Sequence, residues 1–184
     1  MKLVVLDRDG VINQDSDDFI KSAEEWIPIP GSLEAIARLN QAGWRVVVTT
    51  NQSGLARGLF DLDDLNRMHA RMHQQLAALG GVIDAVLFCP HGPDDGCRCR
   101  KPLPGMLETL AERLGHSLEG VPVVGDSLRD LEAAQAVGAR PCLVRTGKGE
   151  RTLAAGEGLS GVDLFEDLAH LADHLLHHRP PLAA

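Results

Sequence analysis

The sequence predicts an α/β domain with a doubly wound, mostly parallel sheet. Three features carry that reading. Short apolar runs recur along the chain, they are continuous rather than alternating, and each is followed by a stretch with helical spacing of its apolar residues. Continuous Val/Leu runs are how strands buried on both faces read. Strand alternating with helix gives a parallel sheet covered by helices.

The elements follow in order. Strands are expected at 2–6, 45–50, 84–88, 121–125 and 140–145. A helix over 32–42 carries Leu33, Ile36, Ala37 and Leu39 and stops at Gly43. A second over 62–79 carries Leu62, Leu65, Met68, Met72, Leu76 and Leu79, so the two methionines read as core. Helices over 105–114 and 128–137 end at Gly115 and Gly138, and a last one is expected over 164–176. The Gly-rich stretch 148–161 reads as a loop and 177–184 as a loose tail. No repeat divides the chain, so residues 1–184 read as one domain.

Composition bounds the function. The chain has 184 residues, 26 acidic against 18 basic, for a formal charge of −8. A chain of this length buries roughly 70% of its unfolded surface, and 44% apolar with 24% charged residues is an ordinary globular balance. The acid excess argues against nucleic acid as a partner. No apolar run approaches the roughly 20 residues of a membrane helix, and the N-terminus runs straight into a strand without signal-peptide character. A cytoplasmic protein with no membrane partner is expected. Nothing in the sequence resembles a dimer seam, so a monomer is expected as well.

Parallel sheets place ligands outside the carboxyl ends of their strands. There the sequence sets Asp7-Arg8-Asp9-Gly10 after the first strand and Thr50-Asn51-Gln52-Ser53-Gly54 after the second. Gly125-Asp126-Ser127 follows the fourth strand, and Arg100-Lys101-Pro102 precedes the third helix. Acidic groups gathered in a small space repel unless a cation joins them. Oxygen ligands of this kind suit Mg²⁺, which also favours phosphate oxygens and water. A carboxylate beside Mg²⁺ and phosphate can act as a nucleophile, and a second one two residues on can serve as acid and base. Thr50 and Lys101 can then hold phosphoryl oxygens. Each piece alone reads as a turn, a polar loop or a helix cap. Their order and their placement at strand ends point to phosphoryl transfer.

This ordered set resembles the haloacid-dehalogenase-like (HAD) phosphatases: Asp7-x-Asp9-Gly10, Thr50 after an apolar strand, Lys101, then Gly125-Asp126. The resemblance implies a Rossmann-like core with Asp7 as nucleophile and Asp9 as acid/base. It implies Mg²⁺ held by Asp7, Asp126 and the backbone carbonyl of Asp9, and a phosphoryl group steadied by Thr50 and Lys101. Thr50, which directly precedes Asn-Gln, is preferred to Thr49. Asp130 is read as supporting the loop rather than touching Mg²⁺.

Residues 89–99 carry Cys89, His91, Cys97 and Cys99 on a short Gly/Pro loop. Three thiols and an imidazole suit a closed tetrahedral Zn²⁺ site. Such a loop has little to pack with, so the metal would supply its order. The spacing is not Cys-x-x-Cys, which weakens a redox reading. The loop ends at Cys99, so zinc would anchor Arg100-Lys101 at the rim of the site and serve as its main lid. Cys142 lies in an apolar strand and reads as a core thiol.

The cysteine loop narrows the resemblance to the branch of HAD phosphatases that acts on heptose bisphosphates and histidinol phosphate. Residues 7–13, 50–58, 99–102 and 144–148 are similar to its heptose members, and the likeness runs from residue 2 to about 150. It implies removal of the 7-phosphate of D-glycero-D-manno-heptose 1,7-bisphosphate, supplying activated heptose for lipopolysaccharide. The alternative is histidinol phosphate or a broader range of sugar phosphates. Substrate contacts are then implied for Arg100, Lys101, Thr50, Asn51, Gln52 and Ser53, and for the loop Asp15, Ser16, Asp17 and Asp18. Ser127 departs from the lysine that such enzymes often carry, and no large cap is visible between Asp9 and Thr50 or between Thr50 and Lys101.

The remaining candidates read blandly. His69 and His73, and His170 and His174 with His177 and His178, are expected on exposed helix faces. Gly147-Lys148-Gly149 lacks Walker spacing and reads as a loop near the site at most. Trp26 and Trp44 read as packing, and Arg57 as either a distal-phosphate contact or a surface ion pair. A phospho-signalling receiver would place its acceptor after a later strand, and a zinc-built binding module would not need the full catalytic set.

Overall fold

The computed structural model describes residues 1–178 and 180–182. The elements are β1 (Leu3–Leu6), α1 (Ser32–Gln41), β2 (Arg45–Asn51), α2 (Leu62–Ala78), β3 (Ala85–Cys89), α3 (Gly105–Leu114), β4 (Pro122–Gly125), α4 (Leu128–Ala136), β5 (Arg140–Val144), α5 (Gly149–Ala155), β6 (Asp163–Phe165) and α6 (Leu168–His177). All six strands pair in parallel in the order β3-β2-β1-β4-β5-β6. The chain runs outward from β1 through β2 to β3, then crosses back to β4 on the other side of β1. That reversal opens a crevice at the carboxyl ends of β1 and β4, where ligands of open parallel sheets bind.

Strand β1 shows why the apolar runs are continuous. Val4 and Leu6 face one layer, with Ile36 and Leu39 of α1, Met68 and Met72 of α2 and Leu171 of α6. Leu3 and Val5 face the other, with Leu107 and Leu110 of α3 and Ala133 and Ala134 of α4. Successive side chains point to opposite faces, and each fully buried Val or Leu contributes about 1.5–3 kcal/mol. Charged Lys2 and Arg45 bound these runs.

Three expectations are corrected. The stretch 148–161 contains α5, which ends at Gly156 in the left-handed conformation. Its seven residues are too few and too polar to show a periodic stripe. The expected helix over 164–176 divides: Leu164 and Phe165 belong to β6 beside β5, and α6 starts after Asp167, whose side chain accepts from the His170 amide at 2.8 Å. The described part of the tail is tied down rather than loose. His177 closes α6, the Leu182 amide donates to Leu164 O at 2.7 Å, and Pro180 O meets His170 Nε2 at 3.1 Å. Residues 179, 183 and 184 of that tail lie outside the described residues. His170 is therefore buried, not on an exposed face, and His174 lies 2.9 Å from Arg140 Nη2. No domain is inserted between β1 and β2 or between β2 and α3, and no helix is long and apolar enough to cross a membrane.

Candidate active site

Asp7 follows β1 directly, and its amide continues the sheet by donating to Val124 O of β4 at 2.8 Å. Asp126 follows β4. The two carboxylates thus face each other across the switch point. Gly10 has φ +83°, and a Cβ there would stand 2.0 Å from Asp126 Oδ2; one at Gly147 would stand 2.2 Å away. Both glycines are required by the approach of backbone to this carboxylate.

Lys101 reaches into the centre from the segment before α3. Its Nζ lies 2.6 Å from Asp130 Oδ1, 2.8 Å from Thr49 O and 3.1 Å from Asp7 Oδ1, so all three ammonium donors are used. Asn51, at the end of β2, clamps it from behind. Asn51 Nδ2 donates to Lys101 O and Asn51 Oδ1 accepts from the Lys101 amide, each at 3.0 Å. Asn51 lines the cavity, but its amide is spent on Lys101.

Asp130 braces both Lys101 and the turn after β4. Its Oδ1 takes Lys101, and its Oδ2 accepts from the Ser127 amide at 3.1 Å and the Ser127 hydroxyl at 2.8 Å. It closes the first turn of α4 and borders the cavity together with Asp7, Asp9 and Asp126. Residues after β5 complete the clasp. Lys148 N donates to Asp126 Oδ2 at 2.8 Å, Thr152 Oγ1 to Asp126 O at 2.8 Å, and Thr146 Oγ1 to Gly10 O at 2.6 Å.

The charge balance is uneven. Burial, then the neighbouring Asp130, pushes Asp7 up to about 7. Burial, then Asp130 and Asp7, pushes Asp126 up to about 8. Lys101 is desolvated, but Asp130 and Asp7 outweigh that and raise its pKa. One ammonium does not satisfy three buried carboxylates whose oxygens lie within 4.8 Å of one another. The clustered oxygens of Asp7, Asp126 and Asp130 fit a hard divalent cation. Asp9 differs. Burial works against its charge, yet Arg8 and hydrogen bonds from Asn13, Arg8 and Gln52 together hold it below the ordinary carboxylate range.

The cavity is lined by Asp7, Asp9, Asp126, Asp130 and Lys101, and also by Asp15, Ser16, Asp17, Phe19, Ile20, Asn51, Gln52, Ser53, Arg100, Ser127, Arg129 and Lys148. Two expected substrate residues are not on this wall. Asp18 is exposed outside it, since its amide turns back to Ser16 Oγ at 3.1 Å. Thr50 is buried, and its Oγ1 accepts from Gln52 Nε2 at 2.9 Å. The covering wall is the loop of residues 15–20, not the cysteine loop, whose bordering contribution is Arg100. That wall is braced by Lys148 on Asp15 at 3.4 Å and by Arg151 on Asp17 at 3.1 Å. Arg57 stacks over the Phe19 ring at 5.4 Å and makes no ion pair among the described residues. Sequence reasoning missed Arg129 and Phe19. Arg129 lies two positions past Ser127 and brings a cation to the cavity wall.

Cys89, His91, Cys97 and Cys99 converge as expected. Sulfur–sulfur distances are 3.1 Å for Cys89–Cys99 and 3.7 Å for Cys89–Cys97, and His91 Nδ1 lies 3.3 Å from Cys99 Sγ and 3.6 Å from Cys89 Sγ. Zinc–sulfur bonds of about 2.3 Å in a tetrahedron imply sulfurs about 3.8 Å apart. The four donors fit that ion. Cys142 is buried in β5.

Fold and site together define a phosphohydrolase of the HAD-like class. Residues 98–171 match the HAD-hydrolase-like family model, and residues 2–129 match that of polynucleotide kinase 3 phosphatase. The chain is 62% identical to the D-glycero-β-D-manno-heptose-1,7-bisphosphate 7-phosphatase of Bordetella bronchiseptica, covering 96% of this chain and 98% of that one. It is 59% identical to the enzyme of that name from Pseudomonas aeruginosa, covering 95% and 97%. A crystal structure of the B. bronchiseptica D,D-heptose 1,7-bisphosphate phosphatase complexed with magnesium and phosphate superposes with a TM-score of 0.95 at 61% identity, over 97% of this chain and 100% of that one. The chain belongs to the D-glycero-D-manno-heptose-1,7-bisphosphate 7-phosphatase family.

Proposed function

We propose that this chain hydrolyses the 7-phosphate of D-glycero-β-D-manno-heptose 1,7-bisphosphate through a phosphoaspartate at Asp7, as a step in supplying activated heptose. The observation that carries the reading is the meeting of Asp7, Asp9, Lys101 and Asp126 at the switch point beside an unpaired arginine rim. Asp7 attacks phosphorus while Asp9, which takes up a proton from solvent as the phosphate's negative charge enters beside it, gives that proton to the leaving sugar oxygen. Asp9 then takes a proton from the water that attacks the phosphoaspartate, and Asp7 is released. Lys101 holds Asp7 in place and offsets charge on the transferring group. Thr50, buried behind the wall, is read as orienting the Gln52 amide that borders the cavity. Mg²⁺ at Asp7, Asp126 and the Asp9 carbonyl would neutralise the phosphate and the carboxylates when bound. Zn²⁺ at the four-residue cluster would fix the segment that carries Arg100 and Lys101.

The second phosphate is assigned to Arg100 and Arg129. Neither pairs with a carboxylate among the described residues. The charged side chains acting on Arg100 are Arg129, Arg57 and the cluster thiols. A dianion stabilises that rim. The ammonium of histidinol phosphate would be repelled by it, which favours the bisphosphate. The β anomer is taken from the names of the relatives at 62% and 59% identity.

The test is kcat/KM with Mg²⁺ on the α and β heptose 1,7-bisphosphates and on histidinol phosphate. A preference of at least tenfold for the β-bisphosphate is expected. Equal rates, or preference for histidinol phosphate, would leave the phosphatase chemistry standing and remove this substrate.

A further inference from the structure

The residue between the two catalytic aspartates is an arginine, and its guanidinium is entirely enclosed, with 0% of the side chain exposed. A buried charge persists only where it is paired and hydrogen-bonded. Arg8 spends every face on a neighbour. Its Nε lies 3.0 Å from Asp9 Oδ1 and its Nη2 lies 3.2 Å from Asp9 Oδ2. Its Nη1 lies 3.2 Å from His69 Nε2 and 3.7 Å from Met68 Sδ, both on α2. His69 is thus not the exposed residue its spacing suggests. Asn13 Nδ2 at 2.8 Å and Gln52 Nε2 at 3.1 Å add one donor to each Asp9 oxygen, and Asp9 still borders the cavity.

We propose that Arg8 is the positioning residue for the acid/base: its two-point contact fixes the plane of the Asp9 carboxylate, and His69 on α2 fixes Arg8. The fork geometry of guanidinium on carboxylate sets direction as well as distance. Lysine would keep the charge and lose the plane. Arg8 is fully enclosed and does not border the cavity that Asp9 lines, so it acts through Asp9 and touches no reacting atom. Its partner His69 is held down to about 4, by burial first and by Arg8 second, and so remains a neutral acceptor.

This inference rests on Asp9 being the acid/base, and the test separates the two. The substrate is 4-nitrophenyl phosphate, whose leaving group departs without a proton, so the outcome does not depend on which sugar is used. Breaking the bond between phosphorus and Asp7 still requires Asp9 to take a proton from the attacking water. Arg8→Met and Arg8→Lys should each slow turnover by about 10–100-fold, since misplacement by an ångström costs that order. Both should leave Asp7 phosphorylated in acid-quenched samples. A merely structural role would lower the active fraction without trapping phosphoenzyme. His69→Leu should cost about 3–10-fold on the same reasoning, His69→Gln should restore most of it by supplying an oxygen acceptor, and Arg8→Met/His69→Leu should be no slower than Arg8→Met. Additive losses, or full activity in Arg8→Lys, would overturn the proposal. If Arg8→Met does not fold, the His69 pair decides: equal losses in Leu and Gln overturn it, and rescue by Gln upholds it. If Asp9→Asn turns over normally, the acid/base assignment itself fails.

Discussion

Replacing Asn51 by alanine tests whether the loop after β2 serves the catalytic lysine or the substrate. The side chain makes two reciprocal hydrogen bonds of 3.0 Å to the backbone of Lys101. Each contributes about 1 kcal/mol, and a buried amide left without an acceptor costs about 1–3 kcal/mol more. Asn51 borders the cavity, so water can replace part of what is lost, and the net destabilisation is about 2 kcal/mol. At about 2–4 °C per kcal/mol for a chain of this size, the midpoint should fall by about 4–8 °C. Freed from its clamp, Lys101 Nζ should drift from Asp7, now 3.1 Å away. Turnover should drop by about 10–100-fold, as for any misplaced catalytic group. Thermal unfolding and steady-state kinetics on heptose bisphosphate and 4-nitrophenyl phosphate read both effects. The expected pattern is a lower kcat on both substrates in similar proportion. An unchanged midpoint with a rise in KM for the bisphosphate alone would mean that Asn51 contacts the sugar, and the argument from its hydrogen bonds would be wrong.

Other outcomes follow from the same geometry. Purified protein should hold about one zinc per chain, and Cys99→Ser should lose the metal and loosen Lys101; full activity without zinc would remove the anchoring role. Arg129→Ala should raise KM for the bisphosphate by about tenfold, as for a lost charge-assisted hydrogen bond of about 1.5 kcal/mol or more, while sparing 4-nitrophenyl phosphate; equal losses on both would place the second phosphate elsewhere. In Mg²⁺-free buffer the folded values of Asp7 and Asp126, about 7 and about 8, lie above the 3.8 of an ordinary aspartate. The folded state therefore binds more protons than the unfolded state in that window, and stability should fall as pH rises from about 4 to about 8. Saturating Mg²⁺ should flatten that slope, and a midpoint that rises with pH in Mg²⁺-free buffer would show that the carboxylate cluster is not the source of strain.

The sheet was legible because its strands carry continuous apolar runs, and those at its centre are buried on both faces. Leu3–Leu6 and Ala85–Cys89 are apolar without interruption, and Arg45–Asn51 carries a run of three valines. The elements that escaped sequence reasoning are short or divided. Asp163–Phe165 has three residues, too few to show a pattern, and Leu164 and Phe165 merge by composition with the helix that follows. Gly149–Ala155 is mostly polar, and its position comes from the turn it closes behind Asp126.

The site divides in the same way, and the reason is chemical. Groups that act on phosphate or bind metal must be of a particular type, so Asp7, Asp9, Lys101, Asp126 and the Cys89–Cys99 cluster announce themselves by identity and order. Groups that hold them need only a donor or acceptor at the right distance, and many residue types supply that. Asn51 looks like a polar loop residue and clamps Lys101. His69 looks like a surface histidine and anchors Arg8. Arg8 is read in sequence as the filler of Asp-x-Asp, since its buried orientation is decided by α2 some 60 residues away in sequence. The burden of precision at this site falls on residues whose roles are set by long-range packing, and substitutions there should uncouple positioning from chemistry while leaving every motif intact.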